Sequence, residues 1–305
     1  MSDAQHDKQP HSAEYFGEWR DFWWDPEYIA LLVRRLGLEK CGRVLDIGCG
    51  VGHWGRVLLP HLPEAQLVGV DREAEWVRKA GDAAAAKGFG NRARYVQGDA
   101  CALPFGEAEF DLVTCQTVLM HLADPRRAIR EMMRVLKPGG CLVAAEPNNM
   151  ASTQIVGNTR IDEPIETRMA LTEFQLRCER GKAALGEGNN SIGDVLPGML
   201  AEEGLREVRV QMSSKSSYLI PPYDTPAQKA LRGQMIEWAR RGFNMYGLEN
   251  TRRYYLAGGG SLADFERLWK MMDAANREEA QGLENGTFHL AGGSVQYLIF
   301  GRKAG

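Results

Sequence analysis

Residues 44–52 read Val-Leu-Asp-Ile-Gly-Cys-Gly-Val-Gly, and a second short apolar run, Gln66 to Asp71, follows one helix later. The first run predicts a strand that ends in an acid. A glycine-rich turn follows it, a helix opens at about His53, and the second strand ends in another carboxylate. Strands that alternate with helices in this way predict an α/β fold. The glycines let a ligand approach the backbone where a side chain would block it. The acid ending the second strand can accept hydrogen bonds from a ribose diol. A nucleoside-bearing cofactor is therefore expected, and a glycine turn without a ligand is the alternative that these residues alone leave open. Gly48, Gly50 and Gly52 are spaced G-x-G-x-G, and His53 stands where a dinucleotide fingerprint needs its third glycine. The Gly-Lys-Ser/Thr ending of a P-loop does not follow. Asp46, just before the turn, would repel a pyrophosphate and would suit an ammonium group.

The segments downstream keep the alternation. Ala93 to Asp99 reads as strand three, Phe110 to Gln116 as strand four and Cys141 to Ala145 as strand five. Asp124-Pro125 is a good helix start. Ala128, Ile129, Met132, Met133 and Leu136 then share one helical face, and Lys137-Pro138-Gly139-Gly140 ends that helix. The glycine turn with its two acids resembles motif I of the class I S-adenosylmethionine-dependent methyltransferases. The run from Phe110 to Gly140 resembles the type-11 group, which includes the ubiquinone and menaquinone biosynthesis methyltransferases. The resemblance covers about residues 40–147. It implies a Rossmann-like seven-stranded sheet with the last strand antiparallel and helices on both faces. It also implies S-adenosylmethionine as cofactor and a small-molecule methyl acceptor. Under it Gly48, Gly50 and Gly52 admit the methionine end, and Asp46 supports the loop or the ammonium group. Asp71 accepts from the ribose, Arg72 runs along the adenine, Asp99 and Ala100 meet the adenine amino group, and Gln116 touches the methionine moiety.

At 305 residues with a net charge of -3, the chain can bury a sizeable core and has no electrostatic reason to bind nucleic acid. No apolar run approaches a membrane span. Residues 1–12 are polar, lack the apolar core of a signal peptide, and are expected to form a disordered tail. The six cysteines form no Cys-x-x-Cys pair. They read as buried reduced thiols in a cytosolic protein, with no metal site.

Residues 13–220 and 292–305 are expected to form the cofactor-binding domain. Phe16, Trp19, Phe22 and Trp23 fall on one helical face, and Asp25-Pro26 starts a second helix that stops at Gly37. By resemblance these N-terminal helices form a lid, with Tyr15 and Trp19 over the cofactor; anchoring to the core is the alternative. Thr167–Gly181 and Ser191–Glu203 read as helices, Glu207–Ser214 as strand six and Ser294–Gly301 as the last strand. Residues 221–291 make an unusually long connection between those two strands. They carry a helix over Pro226–Arg241 and another behind Ser261-Leu-Ala-Asp264, a capping box with Asp in place of Glu. This helical insertion is expected either to build a substrate pocket or to mediate a homodimer.

Methyl transfer needs alignment more than a fixed catalytic triad. His121 lies just beyond strand four, at the sheet edge where open α/β sheets bind ligands. Imidazole titrates near neutrality, so His121 is the candidate base, with a loop-bracing histidine as the alternative. Glu146 lies at a comparable edge position, as a substrate-binding or a structural carboxylate. Tyr246, Tyr254 and Tyr255 could line a pocket or fill a core, and Arg252 with Arg253 could hold a carboxylate or face solvent. Three rival functions remain: another S-adenosylmethionine-binding reaction on the same fold, nucleic-acid methylation, and a non-enzymatic regulator that binds S-adenosylmethionine. Against the second, Cys115-Gln116-Thr117-Val118 stands where such enzymes carry Asn/Asp-Pro-Pro-Tyr.

Overall fold

The structure, a computed structural model, describes residues 17–213, 216–293 and 295–305. The expected tail, Tyr15, Phe16, and residues 214 and 294 at the predicted ends of two strands lie outside them. The chain divides into two compact units. One comprises Trp24–Asn149, Gly186–Lys215 and Ser294–Gly305, and the other comprises Met1–Trp23, Met150–Leu185 and Ser216–Gly293.

The first unit is built on a seven-stranded sheet of order β3-β2-β1-β4-β5-β9-β6. Its strands are β1 (Arg43–Ile47), β2 (Gln66–Asp71), β3 (Ala93–Gln97), β4 (Phe110–Gln116), β5 (Leu136–Asn148), β6 (Leu205–Met212) and β9 (Val295–Lys303). Five strands run parallel from β3 to β5, and β9 lies antiparallel between β5 and β6. This is the expected sheet, with its last strand reversed. Helices α1 (Pro26–Leu36), α2 (His53–Leu58), α3 (Ala74–Ala86), α4 (Pro125–Val135) and α7 (Leu196–Glu202) accompany it. The core is apolar and closed: Leu45, Phe110, Val113, Ile129, Met132 and Leu142 are all at 0% exposure.

Three element boundaries differ from the sequence reading. β5 begins at Leu136, because Leu136 is already extended (φ -74°, ψ 133°) and Lys137 precedes a proline, which disfavours the helical region. Lys137-Pro138-Gly139-Gly140 then forms a bulge between the Phe110–Leu136 and Leu112–Cys141 pairs. Residues 191–203 are a 3-10 turn at Ile192–Asp194 followed by α7, not one helix. Glu18–Phe22 is also only a 3-10 turn. Asp25, extended before Pro26, restarts the chain as the cap of α1 and accepts from the Glu27 amide at 2.8 Å.

The second unit holds α6 (Ile165–Ala184), α8 (Pro226–Arg241), α9 (Leu248–Ala257) and α10 (Leu262–Asn285). A two-stranded pair, β7 (Ser217–Leu219) with β8 (Leu290–Gly292), closes the ends of the insertion. Phe174, Tyr255 and Phe265 stack at centroid spacings of 4.6 to 5.9 Å, and Trp269 extends the stack from Phe265 at 5.8 Å. Tyr246, Tyr254 and Tyr255 are buried in this core. Arg252 pairs with Glu249 in the exposed layer, and Arg253 lies over the Tyr254 ring at 5.0 Å. Helices α6 and α9 approach so closely that a Cβ on Gly181 would lie 1.7 Å from the Tyr254 carbonyl oxygen. Thr225 caps α8 by accepting from the Gln228 amide at 3.2 Å. Thr225→Ala is expected to cost about 1 kcal/mol, read as a lower urea midpoint at unchanged m-value. No helix among the described residues is long and apolar enough to cross a membrane.

Candidate active site

The glycine turn is held open by its own backbone. Gly48, Gly50 and Gly52 have φ of 60°, 52° and 74°, a left-handed region that side-chain-bearing residues rarely occupy. The Cys49 amide donates to the Val70 carbonyl at 3.0 Å, which ties the turn to β2. Asp71, at the end of β2, accepts from the Gly50 amide at 2.8 Å with Oδ2 and from the Glu73 amide at 3.0 Å with Oδ1. One carboxylate therefore fixes both the glycine turn and the approach to α3. Each of its oxygens keeps a second lone pair for a ribose hydroxyl. Asp46 is buried, and its Oδ2 accepts from the Gly55 amide of α2 at 3.1 Å. It thus braces the helix that follows the turn.

The opposite wall is the turn after β4. A Cβ on Gly48 would sit 2.5 Å from Val118 Cγ2, so the two loops touch. Thr117 has φ 53°, which is strained for a β-branched residue. Its amide donates to the Ala145 carbonyl at 2.8 Å, and its hydroxyl donates to the Gln116 carbonyl at 2.7 Å. Nothing in the local sequence announces this conformation. Gln116 is 3% exposed, and both of its side-chain polar atoms lack a partner among the described residues.

Glu146 and His121 converge on this turn. Glu146 is fully buried. Its Oε1 accepts from the Val118 and Leu119 amides, both at 2.8 Å, and its Oε2 accepts from the Met120 amide at 3.3 Å. The Cys115 thiol lies 3.8 Å from Oε1. Burial pushes the Glu146 carboxyl up to about 7, while the three amides oppose that shift. His121 ends the 3-10 turn Leu119–His121, half-buried, its amide donating to the Val118 carbonyl at 3.0 Å. Glu146 thus holds the backbone that carries His121.

The remaining candidates are more peripheral. Asp99 is exposed and accepts from the Cys101 amide at 2.8 Å, and Ala100 is half-buried against the core. Arg72 is exposed and pairs with Glu73 at 3.1 Å, while its carbonyl accepts from Gln97 Nε2 at 2.8 Å. Trp19 belongs to the helical unit, where it stacks with Phe22 at 6.3 Å. Sequence reasoning missed Trp24 and Trp54, buried rings 4.9 Å apart on the α2 side of the sheet. All six cysteines are free, and burial raises the thiols of Cys41 to about 11 and of Cys141 and Cys178 to about 12. They are neutral at physiological pH and poor nucleophiles. Among the described residues no group of three or more His, Cys, Asp or Glu could hold a metal ion.

Residues 45–144 match a family model described as a methyltransferase domain, of type 11. This stretch runs from β1 through the first part of β5, and so contains the glycine turn, Asp71, Gln116 and His121. The chain is 34% identical over 154 residues to an uncharacterized methyltransferase, YcgJ, of Bacillus subtilis, covering 49% of this chain and 60% of that one. It is 42% identical over 111 residues to the demethylmenaquinone methyltransferase of Roseiflexus castenholzii, covering 35% of this chain and 45% of that one. The chain thus spans about half the length of the curated relatives it matches. A solved structure of a candidate methyltransferase from Bacillus halodurans superposes with a TM-score of 0.50 at 18% identity, over 92% of this chain and all of that one. That similarity concerns the fold. The sheet unit is a Rossmann-like class I methyltransferase fold. Within it, residues 45–144 are similar to methyltransferase domains of the type-11 group.

Proposed function

We propose that this protein is an S-adenosylmethionine-dependent methyltransferase acting on an oxygen, nitrogen or carbon of a small-molecule acceptor. The observation that carries this reading is the pairing of a left-handed glycine turn, anchored by Asp71, with the buried, unpartnered amide of Gln116 across from it. When bound, S-adenosylmethionine supplies a methyl group on a sulfonium that is already a good leaving group. The chain's own residues bind, align and handle the proton. The Asp71 carboxylate takes the ribose hydroxyls, and the backbone from Gly48 to Gly52 accommodates the methionine end. Gln116 offers both a donor and an acceptor, which matches an amino-acid end carrying both charges. Asp46 supports this site through α2. Asp99 accepts from the adenine amino group with the Ala100 amide nearby, and Arg72 flanks the ring. His121 removes the acceptor's proton where the nucleophile needs it, from a turn whose backbone Glu146 holds. Alignment of this kind is worth roughly 7–11 kcal/mol of barrier in oriented systems.

The six free thiols support a cytoplasmic setting, where glutathione keeps them reduced. The names of several relatives support demethylmenaquinone as the first acceptor to try. The test is S-adenosylhomocysteine formation from S-adenosylmethionine across phenols, amines and reduced demethylmenaquinone, alongside calorimetric binding of the cofactor. Acceptor-dependent product at any of them is expected. Cofactor binding with no product across the panel would leave a binding protein, and no cofactor binding would sink the reading altogether.

A further inference from the structure

One face of the sheet changes character along its length. Residues on alternate positions of a strand share a face. Leu112, Val143, Leu298 and Phe300 share theirs with a small dry cavity that Ile29 of α1 and Trp54 of α2 also line. The register carries this face to the carboxyl edge of the central strands: Gln116 pairs with Ala145, Ala145 with Leu298, and Pro147 with Gln296. Gln116 and Gln296 therefore end the apolar face as two amides, next to the turn that carries His121.

Neither amide is satisfied. Gln296 is 6% exposed, and its Nε2 has no acceptor among the described residues. Trp24, stacked on Trp54, is 4% exposed, and its Nε1 is in the same condition. By contrast, Trp54 Nε1 donates to Thr114 Oγ1 at 2.7 Å deeper on the same face. Native proteins satisfy nearly all buried donors, and the exceptions call for an explanation. A methionine or leucine would fill the place of Gln296 without that cost. Gln296 lies on β9, two strands beyond β4 and three beyond the glycine turn on β1. At about 4.8 Å per strand this puts it roughly 14 Å from the turn in the plane of the sheet, on the far side of Gln116. A donor there faces whatever lies past the methionine end of the cofactor.

We propose that Gln296 is a binding residue for the methyl acceptor, whose buried side-chain N–H takes a carbonyl, phenolate or carboxylate oxygen of that molecule at the amino end of β9, beside the carboxyl end of β5. The inference rests on the methyltransferase reading for what occupies the glycine turn. Gln116 serves the cofactor and Gln296 the acceptor, so the two amides should be separable by ligand.

Gln296→Met keeps the length of the side chain and removes the N–H, and Gln296→Leu is a second apolar replacement. The probes are S-adenosylhomocysteine for the cofactor site and 1-naphthol, an aromatic with a single oxygen that does not alkylate thiols, for the acceptor site. Without ligands, both variants should melt at or above the wild-type temperature, because an unsatisfied donor has been replaced by an apolar group. Calorimetric affinity for S-adenosylhomocysteine should stay within about twofold of wild type. Affinity of the S-adenosylhomocysteine-saturated protein for 1-naphthol should fall at least about tenfold, the scale expected for loss of one buried hydrogen bond. Three results would overturn the proposal. Both ligand-free variants melting several degrees lower would make Gln296 structural. A lost affinity for S-adenosylhomocysteine would assign it to the cofactor. Equal 1-naphthol affinities in wild type and variants, including none in either, would remove the acceptor oxygen. If the wild-type protein bound no S-adenosylhomocysteine, the cofactor reading would fall by itself. Wild type and the two variants titrated with 1-naphthol alone would then decide Gln296.

Discussion

Glu146→Ala is expected to lower the unfolding free energy by at least about 3 kcal/mol, because it strands three buried backbone amides at once. Those amides belong to Val118, Leu119 and Met120, and Glu146 is the acceptor that reaches all of them. The variant should also lose methyl transfer out of proportion to cofactor affinity, since the turn it releases carries His121 rather than the glycine loop. Glu146→Gln separates the acceptor from the charge. Burial pushes the Glu146 carboxyl from an ordinary 4.5 up to about 7, so between those values the folded chain binds a proton that the unfolded chain has released. That proton contributes stability fully present below about pH 4.5 and lost as the pH rises through about 7. Wild type should therefore lose roughly 3 kcal/mol relative to Glu146→Gln between pH 4.5 and 8. Cys115, the titratable neighbour at 3.8 Å, has its thiol pushed well above the ordinary range and stays neutral throughout. Urea unfolding of both proteins at pH 5 and pH 8 reads the difference directly. Parallel pH dependences would show that Glu146 does not titrate in this window.

The contrast between Glu146 and Asp71 shows where sequence reading reaches and where it stops. Asp71 was legible because an acid that ends the strand after a glycine turn is a motif in its own right, although its partner Gly50 lies 21 residues away. Three caps were legible from the local chain alone: Asp25, Asp124 and Ser261 accept from amides two or three residues on. Glu146 was visible as a carboxylate at a strand end, but its partners lie 26 to 28 residues away in an apolar stretch without glycine or proline. The left-handed Thr117 is hidden for the same reason, since the tertiary bond from its amide to Ala145 holds it against its own preference. The β7–β8 pair was missed because three-residue strands carry no periodicity. Gly181 closed the expected helix, whereas α6 runs on to Ala184 and Gly181 instead admits the close approach of α9. Asp46 falls between these cases. Its position before the turn suggested support of the loop or of a ligand's ammonium group, and the bond it accepts comes from the Gly55 amide of α2. The rule that emerges is physical. Groups whose partners sit within one turn of chain can be placed from sequence, and groups whose partners arrive through the sheet can be placed only where a motif announces them, as at Asp71.

Asp71→Ala should weaken S-adenosylhomocysteine binding by roughly 3 kcal/mol, on the order of a hundredfold, with a much smaller loss of stability. The stability loss is smaller because both bonds are only partly buried, outside the closed core of the sheet. The affinity loss is large because two effects combine. The glycine turn loses its anchor at Gly50, and the proposed ribose contact disappears. A ligand lacking the 2′-hydroxyl separates them. If Asp71 binds the ribose, wild type should lose affinity on going from S-adenosylhomocysteine to its 2′-deoxy analogue, and Asp71→Ala should lose little more. The coupling in that cycle should be about 1 kcal/mol or larger. Strictly additive losses would mean that the carboxylate acts through the turn alone and that the ribose hydroxyl finds another partner. Asp71→Asn sharpens the comparison, because its amide retains one acceptor oxygen but must turn a donor toward either Gly50 or Glu73. It should therefore bind the cofactor little better than the alanine variant, whereas a side chain that only filled space would tolerate the change.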